Sequence, residues 1–224
     1  MGSFVTGIDV LFKISLAVIA AYVSYQFSAL KQQNDDIKLV VELAFDGEAR
    51  TATAGVVLAG KYAEQERIPA ELYASIVASA NSSGNAALRE TANNSADAVA
   101  QTNEVVAQQV TQALEALPVR VYFHISREVD RAKAGEIEDL LQEQGRSFSS
   151  QSVIVPGIQF INQPKSQTEV RCFKKEECAA LGGKLVEFLD GVGMQAKLVD
   201  LSDRYGTSKN IRPNHFEIWF AALS

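Results

Sequence analysis

Residues 10–27 (VLFKISLAVIAAYVSYQF) are apolar except for Lys13, two serines and Gln26. A helix needs about 20 mostly apolar residues to cross a bilayer. Past Ala21 no small-x-small pair offers a cleavage site, so the run is expected to stay as an anchor rather than leave as a signal peptide. Everything after Ser28 is polar enough to stand in water. The chain is therefore expected to be a single-pass membrane protein with its body on one side of the bilayer.

Of the 224 residues, those behind the anchor suffice for one compact domain plus an extension, or for two small domains. The net charge of −6 is uneven. The part from Pro118 onward is balanced and the part before it carries the acidic excess. Neither half is a basic nucleic-acid surface, so no nucleic-acid partner is expected. Lys31 and Lys38 follow the span closely, and the positive-inside rule tilts the body toward the cytoplasm, with the periplasm as the alternative. A bacterial inner membrane is the expected address.

Two segments follow the anchor at 1–28. Residues 29–117 read as helical, with apolar stripes over Ala49 to Ala63, Glu71 to Ala80 and Ala86 to Asn93. Ser95 to Leu117 reads as one long stalk helix. Val99, Asn103, Val106, Val110, Ala113 and Leu117 recur at alternating steps of four and three, a coiled-coil seam with one polar position. That seam makes Val99, Val106, Val110 and Leu117 the expected contacts of a homo-oligomer, with docking on neighbouring helices as the other reading.

Residues 118–224 change texture. Strands are expected at Val119 to Ile125, Val153 to Ile161 (interrupted at Pro156-Gly157), Glu169 to Phe173, Ala196 to Leu201 and Phe216 to Phe220, with helices at Ala132 to Gln144 and Glu176 to Leu189. The order is β-α-β-β-α-β-β. Two split βαβ units of this kind give a ferredoxin-like α+β sandwich plus an extra C-terminal strand. Its first and third strands would form the central pair, with the fourth beside the first.

The first helix of this region ends Leu141-Gln142-Glu143-Gln144-Gly145, and a second strand–helix copy runs from Val170 to Gly193. In topology and spacing, Val119 to Ala221 resembles the sporulation-related (SPOR) domain and the C-terminal domain of LytR-type proteins. The resemblance implies a small module that binds peptidoglycan glycan strands across its sheet, carried behind a single span and a spacer.

No HExxH, GxSxG, Walker or GxGxxG pattern occurs, so no catalytic residue and no cofactor are expected. Cys172 and Cys178 are expected as free packed thiols, with a disulfide as the alternative. A metal site is not expected, because zinc wants four ligands and the two histidines lie far off in sequence. The densest polar stretch is Ser202 to His215, long for a connection between strands. Its Arg204, Tyr205, Lys209, Arg212 and His215, joined by His124 across the sheet, are the candidate ligand contacts. The expected function is a membrane-anchored, non-enzymatic binding or assembly module with a glycan or protein partner. The alternatives are a peptidoglycan-binding envelope protein, or an enzyme using the Arg204–His215 loop.

Overall fold

The computed structural model describes residues 30–147 and 149–223. The expected anchor at 10–27 lies outside the described residues. Among those residues no helix is long and apolar enough to cross a membrane. The chain is α/β: five helices, then a mixed six-stranded sheet with its own helices.

The helices are α1 (residues 30–44), α2 (Ala49–Glu64), α3 (Ala70–Ser82), α4 (Ala86–Ala100) and α5 (Glu104–Glu115). They enclose a core of small and branched residues, among them Val56, Ala59, Ile76, Val77 and Ala92. Small residues let the axes approach closely. A Cβ on Gly55 would lie 2.3 Å from the Ala44 backbone nitrogen, so only glycine lets α2 cross α1 there. Two polar ties fix the packing. Arg67 grips the buried Asp36 carboxylate at 2.7 and 2.9 Å, and the Tyr73 hydroxyl sits 2.8 Å from Ser95 Oγ.

The expected stalk helix from Ser95 to Leu117 is two helices. Asn103, read as the polar position of a seam, instead caps α5 by accepting from the Val106 backbone N–H at 3.1 Å. The chain turns at that cap, and Val99, Val106 and Val110 are buried inside the helical core of the same protomer. Leu117 is buried as well. The coiled-coil seam is thus corrected to an internal contact. Its four apolar side chains are buried within the chain itself.

The second region contains β1 (Val119–Ile125), α6 (Arg131–Gln144), β2 (Val153–Ile154), β3 (Ile158–Phe160) and β4 (Thr168–Cys172). It continues with α7 (Lys175–Glu177), a π-helical turn (Cys178–Gly182), α8 (Gly183–Gly191), β5 (Ala196–Asp200), α9 (Ser202–Tyr205) and β6 (His215–Trp219). The sheet order is β2-β1-β6-β4-β5, with β3 also on β1. All pairs are parallel except β4 with β6.

The ferredoxin-like arrangement is therefore corrected. The expected second strand breaks at Pro156-Gly157, and both its pieces pair with β1 in parallel. A parallel neighbour needs a crossover, which α6 supplies. The unit β1-α6-β2/β3 is thus an intact βαβ, and β4 to β5 is another. Each unit ends on an outer strand, and β6 fills the gap between β1 and β4. Its alternate residues Phe216 and Ile218, with Phe220 just beyond, are at most 1% exposed, as a central position demands. They share one core with Phe123, Ile137, Leu141, Leu185 and Leu189, so α6 and α8 cover the same face of the sheet.

The helical core and the sheet core have no residue in common. Polar bridges join the two regions. Asn214, at φ 57°, donates its side-chain amide to the Leu117 carbonyl at 2.8 Å. Its backbone N–H donates to Glu177 Oε1 at 2.8 Å. Asparagine tolerates that left-handed backbone better than most residues. Asn93 donates to the Lys209 carbonyl at 3.0 Å.

Cys172 and Cys178 form a disulfide, correcting the expectation of free thiols. Cys172 closes β4 and Cys178 opens the π-helical turn. The tight α7 turn brings their Cα atoms to 5.4 Å, within bridging range. Both sulfurs are buried, and Asp200 lies beside them.

Candidate functional site

Alternation along three strands builds the site. While β1 sends Val119, Val121, Phe123 and Ile125 into the core, it sends Arg120, Tyr122 and His124 to the other face. In the same way β6 presents His215, Glu217 and Trp219, and β4 presents Glu169 and Arg171. The register sets Tyr122 beside Glu217, His124 beside Trp219, and Glu169 beside Trp219 from the other flank. The core helices α6 and α8 lie on the opposite face.

Two linked clusters result. In the first, Trp219 is the hub. Its Nε1–H donates to Glu217 Oε2 at 2.7 Å. His124 lies 4.6 Å from the ring, and the Arg171 guanidinium and the Lys165 ammonium stand 4.2 and 4.9 Å from its centroid. Arg171, Lys197 and Lys165 converge on Glu169 at 2.6, 3.4 and 3.9 Å. In the second cluster, His215 stacks on Tyr122 at 4.8 Å and meets the edge of Phe173 at 5.1 Å. Phe173 in turn contacts Tyr205, over whose ring Arg204 lies at 5.2 Å. Glu217 joins the clusters, 3.6 Å from His215 Nε2 and 3.9 Å from His124 Nε2.

The electrostatics follow from this placement. Burial pushes the Glu217 carboxyl up, but hydrogen bonds from His215 and Trp219 and the nearby histidine charges outweigh it, and its pKa is lowered. Glu169 is likewise lowered, because Arg171, Lys197 and Lys165 overcome burial. Burial depresses His124, opposed by Glu217 and aided by Arg171 and His215. Both ring nitrogens of His124 are buried without a hydrogen-bond partner.

A depressed histidine has a pH signature. The unfolded imidazole takes its proton near pH 6.5, the folded one only at lower pH. Stability is therefore lost as pH falls below about 6.5, with a limiting slope of about 1.4 kcal/mol per pH unit. Glu177, raised by burial, works in the opposite sense by taking up a proton first in the folded state. The clean measurement is the difference between wild type and His124→Leu in urea melts from pH 7.5 to 5. Wild type is expected to fall more steeply. Parallel curves would show that His124 titrates as it does in the unfolded chain.

The sequence candidates divide. The structure brings His124 and His215 to either side of Glu217, and places Tyr205 and Arg204 at the end of the aromatic strip. It does not bring Lys209 or Arg212 there. Lys209 donates to Asn94 at 2.7 Å and pairs with Asp97, which ties the loop to α4. Arg212 is 1% exposed and donates to the Pro118 carbonyl at 3.0 Å. The reading by segment missed Tyr122, Lys165, Glu169, Arg171, Glu217 and Trp219. Apart from Lys165, which precedes β4, their signal was present as polar or aromatic residues at every second position of apolar strands. No family model, curated protein or solved structure matches the chain.

Proposed function

We propose that this chain is a membrane-tethered, non-enzymatic recognition module that binds a glycan across the face of its sheet opposite α6 and α8. The observation that carries the reading is the aromatic and cationic strip from Lys165 and Arg171 through Trp219 and Tyr122 to Arg204. A sheet face left without helices is normally solvated and polar. Here it holds Trp219, Tyr122 and two histidines, with Tyr205 of α9 joined through Phe173, held by stacking and ion pairs rather than by a core. Ring faces and guanidinium forks recognise sugar hydroxyls and carboxylates. The anchor at residues 10–27 would hold the module at the bilayer, and the helical region would space it away.

The disulfide supports the side of the membrane. Disulfides persist in oxidising compartments and are rare in the cytosol. The body is placed on the periplasmic side in this reading, where peptidoglycan is the available glycan. That choice goes against the weak charge signal of Lys31 and Lys38 and rests on the stronger chemical one.

Co-sedimentation of the full chain with purified peptidoglycan tests the reading. Wild type is expected in the pellet. Arg171→Ala removes a charge-assisted contact, worth about 10- to 100-fold in affinity. Trp219→Ala is expected to weaken binding at least as much, since it also releases Arg171 and Lys165. Wild type remaining in the supernatant, or both variants pelleting as wild type does, would refute a glycan surface on this face.

A further inference from the structure

Four arginines in this fold end on a carboxylate: Arg67 on Asp36, Arg127 on Asp130, Arg131 on Glu128 and Arg171 on Glu169. Arg204 lies over the Tyr205 ring, and three more have no carboxylate partner among the described residues. Arg212, in the loop entering β6, spends Nη2 on the Pro118 carbonyl, and its Nε and Nη1 are buried with no acceptor. Arg120 on β1 has its Nε buried with no acceptor. Arg89, in the first turn of α4, gives Nη1 to the Ser83 carbonyl at 3.1 Å, and its Nε is buried with no acceptor.

These three come together where the helical region meets the sheet. The Arg120 backbone N–H donates to the Asn214 carbonyl at 2.9 Å, two residues from Arg212. Burial, then the charges of Arg120 and Arg89, bring the Arg212 pKa down to about 10, against the pull of Tyr122 and Glu177. Glu177 is the carboxylate whose charge bears on Arg212; its Oε1 accepts from the Asn214 N–H, and its Oε2 is buried with no hydrogen-bond partner. No member of the trio is in an ion pair among the described residues.

We propose that Arg89, Arg120 and Arg212 form a binding site for a phosphate-type oxyanion at the junction of the helices and the sheet. Three guanidiniums at one junction, the charges of two of them bearing on the buried third, demand more negative charge than one carboxylate supplies. Their planar forks match the paired oxygens of a tetrahedral dianion. Four guanidinium nitrogens held out of water without an acceptor are the donors such a ligand would use. The site draws one arginine from the helical region and two from the sheet region, so an occupied site would clamp the two together. It shares no residue with the proposed glycan contacts Arg171 and Trp219, and its test stands apart from theirs.

Thermal melts and calorimetric titrations of the full chain, at constant ionic strength, compare inorganic phosphate, glycerol phosphate, acetate and chloride. Phosphate is expected to raise Tm in a saturable way that chloride and acetate do not reproduce. Glycerol phosphate binding as well as inorganic phosphate would assign the site to a phosphate ester, and weaker binding to the free ion. Arg120→Gln and Arg89→Gln are each expected to weaken phosphate about 10- to 100-fold, while Arg146→Gln, at an exposed position, leaves it unchanged. Coincident phosphate and chloride melts of the wild type would overturn the proposal, whether or not the variants fold. So would phosphate binding that survives both Arg120→Gln and Arg89→Gln.

Discussion

Phe123→Ala is expected to cost the sheet region about 3–5 kcal/mol, the range for deleting a buried aromatic ring. Phe123 is fully buried at the middle of β1. It packs edge-on against Phe220 at 5.0 Å, and its backbone pairs with Ile218 on one side and Ile158 on the other. Neighbours on three strands are fixed by their own ladders and cannot collapse into the space. The measurement is a urea melt followed by both fluorescence and amide hydrogen exchange. Protection is expected to fall in β1, β4 and β6 while α2–α5 keep theirs, because the two cores share no side chain. Equal loss in both regions would show that the Asn214, Asn93 and Lys209 bridges couple them into one cooperative unit.

That division was visible in the sequence at Pro118, where helix-period stripes give way to β-branched and aromatic runs. The helical and strand segments themselves were legible because each buries one face and writes its period into the chain. What periodicity does not encode is which strand lies beside which. β6 reads as an appended strand, since it comes last and follows a long loop. Its place between β1 and β4 depends on both βαβ units closing outward, a tertiary fact. The stalk failed for a related reason. A four-three spacing looks the same whether its stripe meets another chain or the next helix, and Asn103 serves equally as a seam residue or a cap.

The site was legible only in part. Grouping charges along the chain found Arg204, Tyr205 and His215 but also chose Lys209, which ties the loop to α4. Reading every second residue of the strands would have found Tyr122, Glu217, Trp219, Glu169 and Arg171, because a sheet collects one face from several segments. Arg212 illustrates the limit. Nothing in SKNIRPNH says that its side chain is buried beside arginines from β1 and α4. Only the packing of helix against sheet makes that a cluster.

Converting both Cys172 and Cys178 to alanine is expected to lower stability by about 2–3 kcal/mol, the contribution of a short closed loop on the chain-entropy view. The bridge spans a sequence separation of six, so the loop entropy it removes from the unfolded chain is near the low end. Its position raises the consequence. Cys172 ends β4 beside Phe173, and Phe173 supports His215 and Tyr205 on the open face. Cys178 begins the π-helical turn that leads into α8, whose Leu185 and Leu189 are fully buried. Losing the bridge frees the hinge between these two elements, so the aromatic strip should loosen before the core does. Stability is read from urea melts of the alanine pair, and of wild type with and without reductant. Wild type under reductant should match the pair, whereas reductant should leave the pair itself unmoved. Chain extracted from membranes with thiols blocked at lysis, then denatured, should show no thiol that reacts with maleimide until reduced. Two thiols blocked at lysis would mean that the body faces a reducing compartment, and would remove the argument that places the glycan surface on the periplasmic side.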